Sequence, residues 1–158
     1  MILQTALSFL CSKEFRFYWL PPLLLTAGIM IFSGDFGSSQ KTRSFIWQLL
    51  SQFLSPYWIA QINHYLRIAG HMLTYGCLYI LWARAFGEHL GCTHWRRVFW
   101  SLGLCLAVAL ADEGHQSLVP TRSGSLRDVG LDMASAVLAA MFAYLFRTLQ
   151  IVRRKSAL

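Results

Sequence analysis

Charge is what this sequence has least of. Charged residues make up 13% of the chain, and only seven of its 158 residues are acidic. An average soluble domain is about one quarter charged, so an ordinary water-soluble enzyme is excluded. Several catalytic signatures are missing as well. There is no HExxH pair to hold a catalytic zinc, no glycine-rich phosphate loop and no serine nucleophile elbow. Cysteine is sparse, and Cys11, Cys77, Cys92 and Cys105 contain no CxxC pair. Most of them fall within or beside apolar runs, where a thiol behaves as a small hydrophobe, and no disulfide framework is implied.

Hydrocarbon fills the space that charge leaves. The chain is 56% hydrophobic and 15% aromatic, with a mean hydropathy of +0.46. Its formal charge is +7, but the basic residues are scattered at the ends of apolar runs. Membrane orientation and lipid headgroups account for that pattern, and nucleic acid is not expected as a partner. The composition indicates an integral membrane protein with a single domain over residues 1–158.

Four apolar runs predict an all-α membrane bundle of four transmembrane helices. The first run extends from about Phe15 to Phe32, with Pro21 and Pro22 in an opening turn that needs no amide donors. The segment from Gly28 to Ser33 is a poor match for a signal-peptide cleavage site, so this run reads as a retained anchor. A polar, glycine-containing loop follows at 33–40. Phe45, Ile46, Leu49, Leu50, Phe53 and Leu54 then recur at helical spacing, which predicts a short amphipathic or interfacial helix between the first two spans. Packing on the other helices explains that spacing equally simply.

Ser55 and Pro56 read as a helix start, serine as cap and proline at the first position. That helix leads into a second span, Ile68 to Phe86. The third span, Val98 to Ala111, is short of the roughly 20 residues a bilayer requires, and can lengthen through Trp95 or through 112–116. Ser125 to Asp128 fits a capping box that opens the fourth span, which ends near Phe146. A basic, frayed cytoplasmic tail is expected over 147–158.

Lysine and arginine counts predict the orientation. With the amino terminus inside, the cytoplasmic segments hold Lys13, Arg16, Arg84, Arg96, Arg97, Arg147, Arg153, Arg154 and Lys155. The outer segments hold Lys41, Arg43, Arg67, Arg122 and Arg127. Nine against five favours both termini in the cytoplasm.

Polar residues then concentrate at the outer ends of three helices. Arg67, His71 and Tyr75 are spaced four apart and form one stripe. Asp112 shares a face with His115 or Gln116, and Asp128 shares one with Asp132. Glu113 and Arg122 lie beside them. Each has a plain structural role available: Arg67 can snorkel to the interface, Tyr75 can anchor there, and Asp128 can close the capping box. Asp132 is harder to explain that way, because it lies inside an apolar run and needs a partner.

An outward-facing polar pocket is the expected site, with Arg67, His71, Tyr75, Asp112, Glu113, Gln116, Arg122, Asp128 and Asp132 as ligand-binding candidates. Arg67, Arg122 and Arg127 suit phosphate recognition through forked hydrogen bonds. Glu113, His71, His115 and Asp112 are the candidates for acid–base chemistry, should there be any. No metal and no cofactor is expected. His71 and His115 are far apart in the chain, and no compact ligand motif occurs.

The blocks Arg67-x-x-x-His71-x-x-x-Tyr75, Asp112-Glu113-x-x-Gln116-Ser117-x-Val119-Pro120-x-Arg122 and Asp128-Val129-x-x-Asp132 resemble the VanZ-like family of bacterial membrane proteins. The resemblance covers roughly residues 19–146, including Ser33-Gly34 at the end of the first span. Family members often carry Lys shortly before the His and an acid just before the Tyr. Here Arg67 and Thr74 stand in that block, and Asp132 occupies a place where many members have Asn.

The family is named for a protein associated with teicoplanin resistance. The resemblance therefore implies a cell-envelope role in the bacterial cytoplasmic membrane. The expected ligand is an anionic membrane lipid or a lipid-linked wall precursor, and an effect on glycopeptide susceptibility is implied. The alternative is an intramembrane hydrolase or transferase acting on a lipid-linked phosphate or ester.

Overall fold

A computed structural model describes residues 12–34, 39–120 and 124–156, and every regular element among them is helical. Helix α1 spans Leu20–Ser33, is entered through a π-helical turn at Phe15–Trp19, and carries the Pro pair in its opening turn. Helix α2 is Ser39–Leu50. It stops short of the expected Leu54, and residues 51–53 form a turn.

Helix α3, Pro56–Arg84, runs 29 residues and passes into a second π-helical turn at Ala85–His89. Ser55 caps it through backbone geometry alone: its side chain makes no capping hydrogen bond, while its carbonyl accepts the Ile59 N–H at 3.2 Å. Gly91, at φ +61°, takes the left-handed conformation that lets the chain reverse into α4, His94–Ser117.

Helix α4 thus exceeds the expected third span at both ends and absorbs residues 112–117. Helix α5, Leu126–Ser156, also overruns its sequence-based limit. The tail expected to fray is helical through Ser156, because Leu, Gln, Arg and Lys, all good helix formers, make up most of it.

Packing explains the arrangement. Tyr75, Leu78, Tyr79 and Trp82 follow the 3–4 spacing of a single helix face on α3. They meet Cys105, Val108 and Ala109 of α4, Val129 and Ala136 of α5, and Ile29 of α1. The α3–α5 contact is the most extensive. Gly76 lies so close to Ala139 that an added methyl would just touch it, at 3.9 Å. Small residues at such a crossing let helices approach closely where lipid replaces water.

The opposite surface of the bundle is apolar. Leu24, Ile31, Leu73, Phe99, Leu110, Met141 and Phe142 are all exposed. An exposed apolar surface this continuous fits hydrocarbon rather than water.

Among the described residues, three helical stretches are long and apolar enough to cross a membrane: Phe15–Ser33, His94–Ser117 and Leu126–Ile151. Helix α3 is longer than the first two, but Gln61, Asn63, His64, Arg67 and His71 interrupt its first half. One end of the bundle gathers rings and cations. Trp19 packs edge-on against Trp82, Phe86 and His89, and Arg84 lies over the Phe17 ring at 4.3 Å while donating to the Phe17 carbonyl. The described sequence candidates sit toward the other end.

Candidate functional site

The buried stripe of α4 changes chemistry as it approaches that end. Ser101, Cys105, Val108 and Ala109 are followed one turn on by Asp112, Glu113 and Gln116, all of them buried. On α5, Asp132 and Ser135 occupy core positions between Val129 and Ala136. The interior of the bundle is thus polar at one end and apolar through its middle. Polar side chains placed on the packing face rather than the lipid face need partners from neighbouring helices.

Asp132 finds one on α3. His71 Nδ1 lies 2.8 Å from Asp132 Oδ1, joining residues 61 positions apart. Asp132 is fully buried, whereas the His71 side chain retains 21% exposure. With Nδ1–H donating to the carboxylate, Nε2 is the proton-accepting atom of the neutral ring.

A cavity of about 210 Å³ opens beside this pair. Arg67, His71 and Tyr75 line it from α3, Asp112 and Gln116 from α4, and Ser33 from α1. Five of the sequence candidates therefore share one wall-to-wall space. A second cavity of about 290 Å³ lies on the far side of the α3 stripe, lined by Arg43, Asn63, His64, Arg67, His71 and Asp128. Arg67 and His71 belong to both and form the partition between them.

Glu113 has a different position. Its Oε2 accepts the Ser125 N–H at 2.6 Å, tying the end of α4 to the start of α5. The capping box expected at Ser125–Asp128 is therefore not closed by Asp128: Ser125 Oγ accepts the Arg127 N–H at 3.2 Å, but the Ser125 N–H goes to Glu113. The two backbones approach closely here. A Cβ on Gly124 would stand 2.3 Å from the Glu113 carbonyl oxygen, so only glycine lets the turn close this way.

Glu113 also belongs to a carboxylate trio. One oxygen each from Asp112, Glu113 and Asp132 lies within 4.8 Å of the others, and all three residues are buried. No metal was expected because the chain has no compact ligand motif; spacing along the chain does not reveal acids gathered from two helices.

The remaining candidates are placed as follows. His115 is exposed and does not line either cavity; its Nδ1 lies 3.0 Å from Ser33 Oγ. Because Ser33 Oγ–H donates to the Asp112 carbonyl at 3.0 Å, the His115 ring must be the donor in their contact. The contact gives His115 a clasping role between α1 and α4 and leaves its Nε2 as the accepting atom of the neutral ring. Arg127 is exposed and lines neither cavity. Arg122, the arginine expected to bind phosphate, lies outside the described residues.

Ser33 was missed as a site residue, although the Ser33-Gly34 end of the first span was visible. Arg43, counted only for orientation, and His64 were missed too.

A model of the VanZ/LLP1 family matches residues 18–147, which takes in every described residue of both cavities and of the carboxylate trio. No curated protein and no solved structure matches the chain.

Proposed function

Because the chain belongs to the VanZ/LLP1 family and carries a polar cavity at one end of an apolar bundle, we propose that it binds an anionic lipid or a lipid-linked wall precursor. Binding occurs at the outer face of the bacterial cytoplasmic membrane and alters susceptibility to glycopeptides such as teicoplanin. In this reading α3 is the fourth span, its polar half lining the pocket instead of facing lipid. Helix α2 lies at the outer interface, and both termini are cytoplasmic. The excess of lysine and arginine at the Arg84–Arg97–Arg147 end supports that orientation.

One observation carries the proposal: Arg67 lines both cavities, with His71 beside it. A guanidinium in that position presents its fork to a phosphate entering from either side. Asp112, Asp128 and Gln116 then serve the hydroxyl and amide groups of a headgroup.

The enzymatic reading has an observation of its own. The Asp132-oriented His71 has the arrangement of a general base, with Nε2 available. Turnover of polyprenyl phosphates or phospholipids by the purified protein, abolished in His71→Gln, would establish it.

The cellular test uses expression in a teicoplanin-sensitive host. Wild-type chain is expected to shift the inhibitory concentration of teicoplanin, and Arg67→Ala, present at the same membrane level, is expected not to. Equal susceptibility of cells with wild type, Arg67→Ala and no chain would remove the glycopeptide part of the proposal.

A further inference from the structure

We infer that Asp112, Glu113 and Asp132 form a binding site for a hard divalent cation. Three carboxylates at this separation in the interior of an apolar bundle repel one another, and His71, the one salt-bridge partner of the trio among the described residues, reaches only Asp132. Each of the three also keeps one oxygen that is buried and without a hydrogen-bond partner: Asp112 Oδ1, Glu113 Oε1 and Asp132 Oδ2. Buried acceptors are rarely left unpaired without a reason. A cation supplies both the missing charge and the missing partners.

Geometry agrees. Two oxygens on one calcium ion can stand at most roughly 4.6–5.2 Å apart, and two on one magnesium ion about 4.0–4.2 Å. The trio's oxygens all lie within 4.8 Å of one another. All-oxygen donors select magnesium, calcium or manganese over zinc or copper.

A second feature points to the same spot from a different helix. The Tyr75 hydroxyl is buried, at 1% residue exposure, and has no hydrogen-bond partner. Tyr75 lies one turn further along the face of α3 that carries His71, lines the cavity with Asp112, and is within electrostatic reach of Asp132, Asp112 and Glu113. A phenol so placed donates to water on the ion. His71, bonded to the other oxygen of Asp132, orients that ligand as outer-shell groups do in metal sites.

Three protein ligands leave coordination positions open, and one of the three, Asp112, lines the 210 Å³ cavity. On the lipid-binding reading of the preceding subsection, a phosphate oxygen would take one of them. The cation site itself does not depend on that reading.

The test needs no lipid. Full-length protein purified in neutral detergent and stripped with a chelator is titrated with Mn²⁺, and free Mn²⁺ is followed by electron paramagnetic resonance. One Mn²⁺ per chain is expected, competed by Ca²⁺ or Mg²⁺, with a rise in melting temperature on binding. Asp132→Asn and Glu113→Gln are expected to weaken binding at least about a hundredfold, and His71→Gln and Tyr75→Phe about tenfold. Circular dichroism checks that each variant is folded.

Folded wild-type protein that shows no saturable binding at millimolar Mn²⁺ would overturn the inference. So would stoichiometric binding that persists undiminished in folded Asp132→Asn and Glu113→Gln. The wild-type titration decides the matter even where a variant does not fold. Lipid binding measured separately stands or falls independently of it.

Discussion

Replacing His71 by leucine is expected to destabilise the protein more than replacing its partner Asp132 by leucine. The pair is asymmetric. Asp132 is fully buried, while His71 retains 21% side-chain exposure at the cavity. Removing His71 strands a buried carboxylate that already has a second oxygen, Oδ2, without a partner. Breaking a buried pair from that side costs roughly 3–5 kcal/mol. Removing Asp132 leaves an imidazole that can stay neutral and reach water at the cavity, which costs about 1–2 kcal/mol, on the order of one lost hydrogen bond.

The double variant His71→Leu/Asp132→Leu carries the argument further. With both polar groups gone and apolar side chains in their place, stability should return to near or above that of wild type, as it does for other buried pairs exchanged for hydrocarbon. Denaturation in detergent and chelator measures all three variants. Should the double variant be the least stable of the set, the pair exists to hold the bundle together. Should it be stable yet unable to bind ligand, the pair is retained for function.

Glu113 gives the second large effect. Its Oε2 is the acceptor for the Ser125 N–H at 2.6 Å, a charge-assisted contact that joins α4 to α5 across twelve residues. Glu113→Ala leaves that amide without its partner at a turn where Gly124 already packs on the Glu113 carbonyl. A loss of about 1–3 kcal/mol is expected.

Glu113→Gln separates two roles. Its side-chain carbonyl still accepts the Ser125 N–H, so most of the stability should survive. Its negative charge is gone, so cation binding or acid–base chemistry should not survive. Comparing melting and Mn²⁺ binding in the alanine and glutamine variants tells the two apart. A glutamine variant as unstable as the alanine variant would show that the charge itself, and not the acceptor, holds the turn.

Much of the site was legible in the sequence because helical spacing is local. Arg67, His71 and Tyr75 recur every four residues, and the structure places all three on one cavity. Asp112 and Gln116 follow the same spacing and share that cavity. What spacing along one helix leaves open is the rotation of each helix against its neighbours. The pairing of His71 with Asp132 across 61 residues, and the gathering of Asp112, Glu113 and Asp132 from two helices, depend on that rotation.

The Glu113–Ser125 contact was hidden for a related reason. The local capping pattern offered Asp128 as the closing acid, and a residue from the preceding helix took the position instead. Arg43 and His64 do not stand out in the sequence because neither lies in an apolar run. Packing of α2 against α3 brings them to the second cavity. The polar first half of α3 lines these cavities.

The central claim is that Arg67 recognises phosphate on a lipid. Its most direct test is a titration of purified protein in neutral detergent with a polyprenyl phosphate, followed by native mass spectrometry, using the uncharged polyprenol as the control. Saturable binding of one lipid per chain is predicted for the phosphate and not for the alcohol. Arg67→Ala, folded and monitored in parallel, should bind about 10–100-fold more weakly, the equivalent of one lost charge-assisted hydrogen-bond set at roughly 1.5–3 kcal/mol. Equal affinity of wild type and Arg67→Ala, or equal binding of phosphate and alcohol, would contradict the account.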